Sequence, residues 1–176
     1  MRGSRTLNTY VVLALAADEA LAHAEADTDG SMYDSLLCIV AWVFCLEAFL
    51  NHLGAVRCPS WTTEHEPQPI KEKLVFIAGD TGVRLNRKSA QYQRVMRAIK
   101  FRDFWAHGKT LNTMRPFDRS KHDRPVHALE SEWERMCTPA EARRVKAAAE
   151  TYIHELWAAA GLKGHPFTTL ARASGW

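Results

Sequence analysis

Arg102, Asp103 and His107 stand together in the run FRDFWAHGKT, residues 101–110. Arginine keeps its charge at any ordinary pH and grips a phosphate with two parallel N–H donors. Histidine accepts and returns a proton near neutrality. The two together suit metal-free cleavage of RNA. A base takes the 2′-hydroxyl proton, the oxygen attacks the adjacent phosphorus, and cations stabilise the charge that develops there. On a regular helix, residues five apart project about 140° from each other. The imidazole therefore swings towards the guanidinium only if the helix relaxes at Ala106-His107-Gly108.

The elements that must position this group are helical. Thr6 to Ala26 has apolar residues at helical spacing and no Pro or Gly, and DTDG at 27–30 ends it. A second helix is expected over Ser31–Leu53, capped by Ser31 and stopped by Gly54. It is apolar nearly all round, which predicts a central helix covered on most sides. RCPSWTTEHEPQP, 57–69, reads as a loop, and Pro69 opens a third helix that ends between Gly79 and Gly82. A fourth runs from Lys88 or Ser89 to His107, with Gly108 as its stop. Thr138-Pro139-Ala140-Glu141 starts a last long helix that ends at Gly161. No strand, repeat or low-complexity tract stands out. The expected fold is all-α: a single-domain bundle of about five helices over 1–176, with a basic surface loop at 109–130 and an irregular tail at 163–176.

Composition agrees with a globular domain, since 47% of the 176 residues are apolar. The longest apolar run, from Leu36, stops at Leu46, short of the roughly 20 residues a membrane span needs. A soluble, cytoplasmic chain with no membrane partner and no secretory leader is expected. Cys38, Cys45, Cys58 and Cys137 show no zinc spacing and read as reduced thiols. Charge is unevenly spread. Arg84–Arg124 holds twelve Lys and Arg against three Asp, a net +9 in a chain whose total is +3. Two readings stay open: a face for an anionic partner, nucleic acid first, or a solvated helix face with a basic loop.

RDFWAHGK resembles the signature of HEPN domains (higher eukaryote and prokaryote nucleotide-binding): Arg, a polar residue, then His after four to six intervening residues. CLEAFLNHLG at 45–54 and KEKLVFIA at 71–78 look like two core helices of that family, so the similar region covers about 36–110. The resemblance implies a helical bundle that dimerises and brings two motif copies into one cleft, so that the partners can come from different chains. It further implies either a metal-independent ribonuclease of toxin, defence or RNA-processing type, or a catalytically silent module that binds a nucleotide, RNA or a protein. No cofactor is implied. Arg102 and His107 become the expected catalytic pair, with Asp103 orienting one of them. An antitoxin or nucleotidyltransferase partner is among the family's associations. One subgroup carries a modifiable tyrosine two residues after the histidine; Lys109 stands there instead, a departure from that pattern and a residue suited to touching phosphate.

Arg97, Lys100 and Lys109 are candidates for RNA-backbone contacts. Glu47 and Asn51 share a face of the apolar second helix, and a buried Glu is costly unless paired. They either support the Arg102/His107 cleft, with Glu47 holding the arginine, or find partners elsewhere. Phe101, Phe104 and Trp105 fit core or dimer contacts better than base stacking. TEHE at 63–66 has metal-ligand residue types but no partner motif, and no metal site is expected.

Overall fold

Helix formation here follows local caps and one dominant apolar segment. The computed structural model describes residues 3–26, 29–108, 131–168 and 171–175. Five long helices are joined by two short ones: α1 Thr9–Ala26, α2 Ser31–Arg57, α3 Trp61–Glu64, α4 Ile70–Thr81, α5 Ala90–Ala106, α6 Glu132–Met136 and α7 Pro139–Ala159. The Ser89 hydroxyl accepts from the Tyr92 N–H at the start of α5, and Thr138 does the same for Glu141 at the start of α7. Each cap satisfies an N–H that the first helical turn leaves without a partner.

The architecture is all-α, as the periodicity predicts. Seven helices among the described residues replace the expected five, because α3 and α6 are too short to leave a periodic signal. α6 is held by a capping box in which Ser131 and Glu134 exchange hydrogen bonds. The tail is not wholly irregular. Strand β2, Ala171–Gly175, pairs antiparallel with β1, Gly3–Leu7, in the register Gly3 to Gly175 and Leu7 to Ala171. That ribbon takes up the first residues assigned to α1, which starts at Thr9 rather than Thr6. The basic segment 109–130 lies outside the described residues.

α2 is central and packs on α1, α4, α5 and α7. Ile39, Trp42, Leu46, Phe49, Leu50 and Leu53 are its largest fully buried side chains. By length and composition alone it is apolar enough to cross a membrane, yet half of that span is buried inside the bundle. Tyr33, Leu37 and Phe44 remain exposed and lie on one line along its outer face. Cys38 and Cys45 sit on the buried side, where burial, reinforced by the Asp18 charge, pushes both thiols up to about 12.

Gly54 does not end α2, which runs one further turn to Arg57. Its hydrogen side chain instead seats Trp61, and a Cβ at 54 would overlap the buried indole. This close approach folds α3 back onto α2 and directs the chain towards α4. Gly54→Ala should therefore destabilise the protein by about 1–3 kcal/mol through overpacking. Urea unfolding of the variant checks this, and an unchanged midpoint would refute it.

Candidate functional site

α2, α4 and α5 meet around one carboxylate. Glu47, on the face of α2 turned towards α5, accepts from Lys73 Nζ at 2.9 Å through Oε1 and from the Arg102 NH2 group at 2.9 Å through Oε2. Lys73 comes from α4 and is only 2% exposed, while Glu47 keeps 25% of its side chain in solvent. The other outer nitrogen of Arg102 lies 3.1 Å from Asp103 Oδ1. Phe44, one turn before Glu47, places its ring 5.2 Å below the guanidinium carbon, a cation–π contact. Two cations and two carboxylates make the cluster neutral. Each side of Arg102 is therefore held, and each outer nitrogen still has a second N–H to offer a ligand.

The sequence suggests how this arises. Ile70, Leu74 and Ile77 are the buried stripe of α4, and Lys73 occupies a position within that stripe. Lysine is almost never fully buried without a partner, so a lysine at a core position predicts a carboxylate opposite. No motif marks Lys73; its place in an apolar stripe is the signal. Phe44 carried no such signal, since it reads as one more apolar residue of α2.

His107 stands at the C-cap of α5, with φ −99° and ψ 2°, and its N–H donates to the Asp103 carbonyl at 3.1 Å. Gly108 follows at φ +28°. The His107 imidazole is exposed and has no side-chain partner among the described residues. Glu47, Arg102, Asp103, Lys100 and His107 all line one open cavity of about 710 Å³ between α5 and the segment leading into α4. The remaining candidates fall elsewhere. Asn51 does not line the cavity, and its buried Oδ1 has no hydrogen-bond partner among the described residues. Arg97 is turned to α6, 3.9 Å from Glu132. Lys109 lies outside the described residues. Phe101 is buried, and the Trp105 ring meets Trp133 of α6 edge-on at 4.9 Å. The TEHE segment is also accounted for by packing: His65 lies on Phe76 with ring centroids 3.9 Å apart, and Glu64 accepts from Ser60.

The arrangement offers a fixed guanidinium, an exposed imidazole at the same cavity, and a carboxylate beside each side of the arginine. Compared with protein-family models, curated proteins and solved structures, the chain matches none. The likeness to HEPN domains therefore rests on the Arg102–His107 motif and its neighbouring helices.

Removing Glu47 leaves a buried ammonium without a counter-charge. Glu47→Ala should cost about 3 kcal/mol, the low end for a broken buried pair because Glu47 is itself partly solvated. Lys73→Met leaves Glu47 with Arg102 and should change stability by only about 1 kcal/mol in either direction. Equal losses for the two variants in urea unfolding would refute this account of the cluster.

Proposed function

We propose that the protein is a HEPN-like, metal-independent endoribonuclease that works in the cytoplasm as a homodimer. The observation that carries this reading is the cavity shared by Arg102, Asp103 and an imidazole that has no side-chain partner among the described residues. In the proposed reaction His107 takes the proton of a ribose 2′-hydroxyl, and that oxygen attacks the adjacent phosphorus. Arg102 binds the non-bridging oxygens through its outer N–H groups. Asp103 and Glu47 keep the guanidinium plane from rotating, so little reorganisation is needed when charge builds up. The P–O5′ bond breaks, leaving a 2′,3′-cyclic phosphate and a 5′-hydroxyl. That leaving oxygen needs a proton, and a second copy of His107 across a dimer cleft would supply it.

Dimerisation has its own support. Tyr33, Leu37 and Phe44 form an exposed apolar line on α2, and Phe44 is the residue under Arg102. An apolar face that reaches the ring under Arg102 suits a second copy of the chain. The rival reading is a silent HEPN module that binds RNA or a nucleotide without cutting. The carboxylate on each side of Arg102 favours it, since a guanidinium already neutralised attracts phosphate less strongly. The family's toxin, defence and processing roles, and an antitoxin or nucleotidyltransferase partner, belong to the same proposal.

Purified protein incubated with labelled RNA in EDTA should yield 2′,3′-cyclic phosphate ends, and His107→Ala should slow cleavage by about 10²–10⁴-fold. RNA binding without cleavage in the wild type would establish the silent module instead. Leu37→Asp should convert the dimer to monomer in light scattering and lower cleavage in parallel. A monomeric wild type that cleaves at full rate would remove the dimer from the proposal.

A further inference from the structure

The cavity is longer than a single phosphate site requires. Along α5 it is lined by Gln93, Met96, Lys100, Asp103 and His107. Spacings of three or four keep these residues on one face. Gln93 and His107 are fourteen residues apart, which at 1.5 Å per residue is about 21 Å. An open groove of that length suits one extended chain.

Charge and surface chemistry follow the same axis. The Glu47–Lys73–Arg102–Asp103 cluster is neutral, so the positive potential of the groove comes from other residues. Lys100 at its middle and Arg87 at its far end line it and form no ion pair among the described residues. Gln93 donates from Nε2 to the Arg87 carbonyl at 2.6 Å, which fixes the turn that presents Arg87. The amide oxygen of Gln93 is left as an acceptor. Between the cations the floor is apolar, built from Ile70, Tyr92 and Ile99, all buried, with half-buried Met96. Cations at intervals over an apolar floor are the combination that holds a single strand, backbone on the charges and bases on the apolar surface.

We propose that this groove is a track for single-stranded RNA, running from the Arg102–His107 end to Arg87, and that Arg87 holds a phosphate several nucleotides from the one that is cut. The inference deepens the ribonuclease reading and rests on it for the position of the cut. Binding along the track is a separate property and is measured separately. The track holds on the order of four nucleotides, the lower end of site sizes for single-strand grooves.

The test uses full-length protein and 2′-O-methyl oligonucleotides, which lack the free 2′-hydroxyl and cannot be cut. Fluorescence anisotropy should show affinity rising from the dinucleotide to about the tetranucleotide and then levelling off. Arg87→Gln, at an exposed position, should weaken the tetranucleotide by about tenfold, flatten its salt dependence, and leave the dinucleotide unchanged. Equal affinity for all lengths, an unaltered tetranucleotide affinity in Arg87→Gln, or tighter binding of duplex RNA would each overturn the track. So would a mononucleotide that binds as well as the tetranucleotide, which would make the cavity a free-nucleotide pocket. Length-dependent binding combined with no cleavage of unmodified RNA would leave the track standing and remove only the nuclease reading.

Discussion

The carboxylate of Glu47 is the constraint on which the cavity depends. It is shared by a buried lysine from α4 and an arginine from α5, so three helices are tied to one pair of oxygens. An ammonium at 2% exposure loses most of its hydration, and only a well-placed counter-charge makes that position tolerable. The arginine is then fixed as a consequence of solving the lysine's problem. Asp103 balances the second positive charge, and Phe44 covers the guanidinium face. A flexible surface arginine has become a rigid wall of the cavity, and rigidity is what a group binding developing charge requires.

The opposite side of α2 serves a different purpose. Lys146 of α7 donates to Asp18 of α1 at 2.6 Å, approaches Glu150, and lies over the Trp42 ring. Tyr10 donates to the Pro166 carbonyl at 3.0 Å, and Phe167 packs among Tyr10, Trp42 and His154. These contacts close α1, α7 and the segment after α7 onto the core. Burial here also lowers the pKa of the His52 imidazole, which lies against the Tyr10 ring. The central helix thus divides its faces. One is sealed by aromatic packing, one carries the ionic cluster and the groove, and one is an exposed apolar line.

Local chemistry made much of the helical layout legible. Ser89, Thr138 and Pro139 act within three or four residues of their own position, so their effect needs no knowledge of the fold. The apolar character of α2 likewise announces a central helix. Gly54 shows where this reasoning stops. As a glycine near the end of an apolar run it reads as a helix terminator, yet its role is to leave room for Trp61. The two-stranded ribbon joins residues more than 160 positions apart, and neither segment has alternation strong enough to announce a strand alone.

By itself the sequence determined that the chain is helical, that its basic residues concentrate between 84 and 124, and that an arginine and a histidine stand five apart at a helix end. These are properties of spacing and composition along one strand of chain. Only the tertiary structure decided which of them share a cavity. It brought Lys73 and Phe44 to Arg102, turned Arg97 to Glu132, left Asn51 away from the cavity, and left the imidazole of His107 open. Helical periodicity defines the faces of each helix, but it does not say which face meets which neighbour. That choice is made by the joint packing of α2, α4 and α5, where burying one lysine dictates which carboxylate, and then which arginine, must stand opposite.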